Sequence, residues 1–159
     1  MITICFTGHR NVKRTPELKE RLAKQLETLI DEGAEIFLSG MARGWDLICA
    51  ATVLEFQESF PNIKLHLILP CPPDEQTAGW SDSDKTEYSR ILGFADVVEI
   101  CSNHYFDGCM KVRNQQLVDL ADVCLCYFNE RNKRSGTGQT VRMARKKNIE
   151  IINLGTYFY

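Results

Sequence analysis

The sequence predicts an α/β fold in which one mostly parallel sheet of about six strands carries helices on both faces. Three observations point to it. Six short apolar runs recur along the 159 residues, segments of helical periodicity separate them, and the runs are apolar at consecutive positions, as strands covered on both faces are. The length fits a single domain, 1–159, with one core.

The first run, ITICFT (2–7), is β-branched and bounded by Gly8. Thr15 and Pro16 then form a cap and first-turn pair; Leu18, Leu22, Leu26, Leu29 and Ile30 share one helical face that stops at Gly33. EIFLS (35–39) is the second strand, and Leu47, Ala51 and Leu54 mark the helix after it. KLHLILP (64–70) is the third, followed by PCPPDEQTAGWSDSD (70–84), whose prolines and small polar residues predict a long loop. Tyr88, Ile91, Leu92 and Ala95 precede the fourth strand, VVEICS (97–102). Met110, Asn114, Leu117 and Ala121 precede the fifth, DVCLCYF (122–128), and Val141 and Ala144 precede the sixth, IEIINL (149–154). Ala-Asp-Val opens both the fourth and the fifth strand without further similarity around it, which indicates shared turn chemistry rather than an internal repeat.

Composition sets limits on function. With 44% hydrophobic and 25% charged residues the chain is an ordinary globular one, and a net charge of -2 gives no global attraction to nucleic acid or anionic membrane. A basic cluster between residues 131 and 147 is the local exception. The N-terminus runs straight into a strand without a secretory pattern, and no apolar run reaches membrane-spanning length, so a cytoplasmic chain with no membrane partner is expected. The seven cysteines are scattered without a CxxC pair, which predicts neither a disulfide framework nor a metal site. Cys5, Cys101, Cys124 and Cys126 fall in strand-like runs as small buried hydrophobes.

In open parallel sheets ligands sit outside the carboxyl ends of the strands, and the unusual residues of this sequence fall there. The first strand ends in Gly8, His9 and Arg10; the second in Ser39, Gly40, Met41, Ala42, Arg43 and Gly44; the third leads to Gln76 and Trp80; the fifth leads to Arg134, Gly136, Thr137 and Gly138. The glycines admit backbone amides close to an anion, the helix opening at Trp45-Asp46 aims its own amides the same way, and Arg10, Arg43 and Arg134 offer fork-shaped charge. A bulky residue at Gly44 is expected to abolish binding and leave the fold largely intact. Bland readings stand beside these: any one glycine serves a turn, Asp46 caps its helix or meets a ribose hydroxyl, His9 is a solvated loop residue or an acid/base group, and Trp80 anchors its loop or stacks on a base. Neither GxxxxGK[ST] nor a GxGxxG after the first strand is present, and GxSxG and HExxH are absent as well.

TGHR after the first strand, SGMARGWDLICA after the second, P-C-P with Gln76 and Trp80, the Lys111-Val112-Arg113-Asn114 helix start and SGTGQTVRMA after the fifth strand together resemble the YpsA-like branch of the SLOG superfamily. The match covers nearly the whole chain. That superfamily also holds the DNA-processing protein A family and the lonely-guy phosphoribohydrolases. The resemblance implies a Rossmann-like three-layer sandwich and a pocket for a nucleotide or nucleotide-derived ligand, a signal sensed or sequestered, with Arg113 and Asn114 added to its wall. In lonely-guy enzymes the last loop reads PGGxGTxxE and its glutamate works on the N-glycosidic bond. Here Gln139 or Thr140 stands in that place, and neither supplies the acid or base such cleavage needs.

The expectation is therefore a binding module for a nucleotide-type small molecule, leaning away from catalysis, with no catalytic residue, metal or cofactor assigned. Two alternatives remain. Resemblance to DNA-processing protein A implies single-stranded nucleic-acid binding, with the basic cluster on the backbone and Trp80 or Tyr105 stacking on bases. A nucleotide-processing hydrolase working through Asp46 or His9 is the other. A homodimer is also expected, with Tyr157, Phe158 and Tyr159 as one candidate contact.

Overall fold

The computed structural model describes residues 1–129, 131 and 135–155. Arg134 and the candidate contact Tyr157, Phe158 and Tyr159 lie outside the described residues. Six strands, β1 (Ile2–Gly8), β2 (Ala34–Ser39), β3 (Lys64–Leu69), β4 (Val97–Ile100), β5 (Val123–Tyr127) and β6 (Glu150–Asn153), form one sheet in the order β4-β3-β2-β1-β5-β6. Every pairing is parallel. The helices are α1 (Pro16–Asp31), α2 (Trp45–Phe56), α3 (Pro73–Gln76), α4 (Asp82–Phe94), α5 (Cys109–Leu120) and α6 (Gly136–Lys146). This is the Rossmann-like α/β arrangement that the sequence predicts.

Alternation along the strands divides the core in two. Ile4 and Phe6 of β1 face one side and pack with Leu22 and Leu26 of α1, Leu47 and Val53 of α2, and Ile91 of α4. Cys5 faces the other side with Leu117 and Val118 of α5 and Val141 and Ala144 of α6. The residues of α2 are apolar nearly all round, and Trp45, Leu47, Cys49, Ala50 and Val53 are fully enclosed, as befits a helix covered on more than one face. In α1, Thr15 Oγ1 accepts the Leu18 N–H at 3.1 Å, and Gly33 follows the helix at φ 110°.

The repeated Ala-Asp-Val has a mechanical explanation. Asp122 Oδ2 accepts the Thr3 N–H while its own N–H donates to the Thr3 carbonyl, both at 2.8 Å. Asp96 treats Leu65 identically, at 2.8 and 3.0 Å. Each aspartate docks an incoming strand onto the start of its neighbour and fixes its register.

Two local expectations change. The loop at 70–84 contains the single turn α3 and the start of α4, which Ser81 caps by accepting the Asp84 N–H at 3.2 Å. The fourth strand ends at Ile100, and Cys101 lies beyond it, half-buried. All of β4 is exposed because it is the sheet's outer edge, so its apolar sequence does not report burial on two faces. Among the described residues all seven cysteines are free thiols, and no helix is long and apolar enough to cross a membrane.

Candidate ligand pocket at the strand ends

The chain builds outward from β1 to β4, then α5 carries it back so that β5 lies on the other side of β1. Loops on the two sides of this reversal diverge and leave a crevice at the carboxyl ends of the strands. A pocket of about 980 Å³ occupies it, at the upper end of the range usual for small-molecule sites. Of the residues singled out in the sequence, Gly8, His9, Arg10, Ala42, Arg43, Asp46, Gln76, Trp80, Arg113, Asn114, Gly136 and Thr137 line it. Ser39, Gly40, Met41, Gly44 and Gly138 do not; they lie behind the wall and hold it.

The glycines at the end of β1 and after β2 serve packing. A Cβ on Gly8 would stand 2.3 Å from the Trp45 Cβ, and one on Gly40 would stand 2.5 Å from Arg113 Nη1. Gly44 has φ 81°, and a Cβ there would meet the Arg10 carbonyl oxygen at 2.4 Å. This close approach lets Trp45 N–H donate to the His9 carbonyl at 3.2 Å, so one amide at the start of α2 is already taken by the chain itself. The turn SGMARGWD is thus braced from within: Ser39 Oγ accepts the Met41 N–H at 3.1 Å and donates to the Asp46 carbonyl at 3.3 Å. A substitution at Gly44 consequently acts first on the fold.

The N-terminus of α6 is more open. Ser135 caps it by accepting the Gly138 N–H at 3.0 Å, which leaves the Gly136 and Thr137 amides without partners inside the helix. Both residues line the pocket, and among the described residues nothing outside the helix backbone and the chain neighbours lies within 4 Å of a Cβ built on Gly136. The positive end of the helix dipole faces the same space.

The floor is polar and buried. Arg113 is 3% exposed; its Nη1 donates to the Gly40 carbonyl, its Nε to Asn114 Oδ1 at 2.7 Å, and its Nη2 touches the Met110 sulfur at 3.8 Å. Gln76 closes the adjoining wall: Nε2 donates to the Gly40 carbonyl at 2.9 Å, and Oε1 accepts the Tyr88 hydroxyl at 2.7 Å. Asp46 is 4% exposed, and its Oδ2 accepts the Ala42 N–H at 3.2 Å. Its Oδ1 is buried and has no hydrogen-bond partner among the described residues. Burial pushes the Asp46 carboxyl up to about 6, against the attraction of Arg113 and the bond from Ala42.

At the rim, His9 Nε2 accepts the Asn129 N–H at 2.8 Å, which ties the loop after β1 to the loop after β5. That bond requires the ring to be unprotonated at Nε2, and burial lowers its pKa. The Arg43 guanidinium lies 5.3 Å from the centre of the Trp80 ring, and Trp80 meets Tyr88 edge-on at 5.5 Å. Trp80 therefore both anchors its loop and carries a cation on its face. Glu75 of α3 accepts the Tyr105 backbone N–H at 3.0 Å, and the half-exposed Tyr105 also lines the pocket. Asn11, Glu75, Met110, Asn129 and Ser135 also line the pocket and were not expected there from the sequence. Only Ser135, a capping residue before a glycine-rich helix start, had a legible signal.

An all-parallel six-stranded sheet with a pocket at its topological reversal defines a Rossmann-like α/β protein. The chain belongs to the YspA SLOG family, whose model matches residues 4–156. A UPF0398 protein of Bacillus thuringiensis (strain Al Hakam) is 29% identical over 144 residues, covering 89% of this chain and 76% of the relative. A UPF0398 protein of Bacillus cereus (strain AH187) shows the same identity and coverage. Among solved structures, DNA processing protein A from Helicobacter pylori, described for its single-stranded DNA binding mode, superposes with a TM-score of 0.64 at 18% identity. The match covers 96% of this chain and 64% of that one, and it establishes the shared fold.

Proposed function

We propose that the pocket binds a nucleotide-type small molecule and that the chain is a cytoplasmic binding module which senses or sequesters a nucleotide-derived ligand. The observation that carries this reading is the N-terminus of α6 opening into a pocket of nucleotide size, with Arg10 and Arg43 also on its wall. In this reading a phosphate rests on the Gly136 and Thr137 amides and Arg10 and Arg43 supply charge from the opposite loops. Arg134 is assigned charge at the same phosphate from the sequence alone, and Gly138 and the residues behind the wall, Ser39, Gly40, Met41 and Gly44, support it indirectly.

Binding without turnover accords with the chemistry near that anchor. Gln139 is neutral, and the Thr140 hydroxyl donates back to the Gly136 carbonyl at 3.1 Å. Thermal denaturation of the purified chain against mono-, di- and cyclic nucleotides and ADP-ribose tests the reading, because a ligand of the native state raises Tm by mass action. Recovery of the ligand unaltered supports a binder, and recovery of a cleaved product assigns a hydrolase.

The Helicobacter pylori neighbour favours a second reading, single-stranded nucleic acid laid across the same opening. A rise in Tm with a short single-stranded DNA alone, steeply weakened by salt, supports it over the first. The expected homodimer is carried as a proposal, and sedimentation of the purified chain tests it.

A further inference from the structure

Arg43 and Trp80 reach the pocket wall from the loops after two neighbouring strands, β2 and β3. The guanidinium carbon of Arg43 lies over the Trp80 ring, 5.3 Å from its centre, and Tyr88, itself 1% exposed, meets that ring edge-on at 88°. Among the described residues Arg43 has no carboxylate partner and no hydrogen bond, so the indole is its support. A guanidinium is planar and weakly hydrated, so one face can rest on an aromatic ring while the other accepts a second flat group. The start of α6, after β5, is the other end of the pocket wall. Only β1 stands between β2 and β5, so two strand spacings, about 10 Å, separate the strands that carry these loops, a span that a mononucleotide covers from phosphate to base. Arg10 follows β1, the immediate neighbour of β5.

We propose that Arg43, backed by Trp80, is the platform on which the base of the nucleotide stacks, and that the pocket therefore prefers purine nucleotides. The inference rests on the nucleotide reading and deepens it, adding a flat surface to the charge of Arg43. The base lies on the guanidinium rather than directly on the indole, because Arg43 already stands over that ring. A two-ring base overlaps more of such a platform than a one-ring base, and stacking grows with overlap. The phosphate then lies toward α6, with Arg10 on the loop between.

The test is isothermal titration of the full chain, unmodified and as Arg43→Lys, with AMP, GMP, CMP and UMP. Lysine keeps the positive charge and loses the plane. In the unmodified protein the purine nucleotides are expected to bind about 3- to 10-fold tighter than the pyrimidine ones, a fraction of what a whole base gains by stacking. In Arg43→Lys that ratio is expected to fall toward one, chiefly through weaker binding of AMP and GMP. Trp80→Leu, which removes the support and leaves the arginine, is expected to lower the ratio in the same way. Unliganded melting curves of both variants show whether the fold persists. Equal affinity for purines and pyrimidines in the unmodified protein overturns the platform and leaves the nucleotide reading standing. So does a loss in Arg43→Lys that is the same for all four nucleotides, which assigns Arg43 to charge alone, or a purine ratio that the variant retains. Absence of any response to the four mononucleotides overturns both readings, whether or not an oligonucleotide binds.

Discussion

At the scale of single residues, the buried carboxylate has a measurable cost. Asp46 titrates near 6 in the fold against an ordinary value of 3.8. A pKa raised by folding favours the native state fully below the unfolded value, and that contribution is lost as pH rises through about 6. At pH 8 the charged side chain therefore destabilises the unliganded protein, and Asp46→Asn is expected to stabilise it by about 2–3 kcal/mol. Urea denaturation at pH 8 and again near pH 4 checks this: the gain should shrink at the lower pH, where the native carboxyl is itself protonated. His9 responds in the opposite direction. Its pKa lies below 6.5, so its contribution is complete above that value and declines as the pH falls. Protonation at Nε2 removes the bond from the Asn129 N–H. Amide exchange at Asn129, corrected for intrinsic rates, should accelerate on acidification, and a pH-independent protection factor would remove His9 as the tie between the two loops.

Elements explain why some positions were legible and others were not. Gly44→Ala forces a side chain into φ 81° and against the Arg10 carbonyl. We expect a loss of about 2–4 kcal/mol in stability, read by chemical denaturation, before any effect on ligand affinity. The sequence announces a tight turn there. It does not announce that Gly8 and Gly40 make room for Trp45 and Arg113, because those partners arrive from distant parts of the chain. The strands and long helices were readable from apolar runs and caps, which are local. The four-residue α3 was hidden in a proline-rich segment too short for periodicity, and β4 looked buried because its apolar residues cannot reveal that no strand lies beyond them. At α6, Ser135→Ala should cost about 1 kcal/mol by releasing the Gly138 N–H. Its effect on nucleotide affinity should exceed its effect on global Tm if the helix start is the phosphate anchor.

At the scale of the whole molecule, position in the sheet decides what each loop does. Because β1 and β5 are neighbours at the reversal of strand order, their following loops meet through His9 and Asn129 and bring the start of α6 opposite the turn after β2. The pocket is thus a property of topology as much as of any motif. Net charge and topology together predict how binding responds to salt. A chain of net charge -2 holding one small ligand through a few local contacts should lose affinity only mildly between low and moderate salt. A groove that neutralises several phosphates should lose it steeply. Titrating the preferred nucleotide and a single-stranded oligonucleotide across the same salt series separates these cases on one preparation.

The two tryptophans differ sharply in setting. Trp45 is fully enclosed, with Nε1 donating to the Leu125 carbonyl at 3.3 Å, whereas Trp80 stands on the pocket wall under the Arg43 guanidinium. The protein consequently carries an intrinsic optical probe together with its own internal standard. A molecule that enters and displaces Arg43 should shift the emission of Trp80 while the emission of Trp45 stays constant. Occupancy can then be followed in real time without a label, and a Trp80→Phe variant should retain a spectrum blind to the ligand.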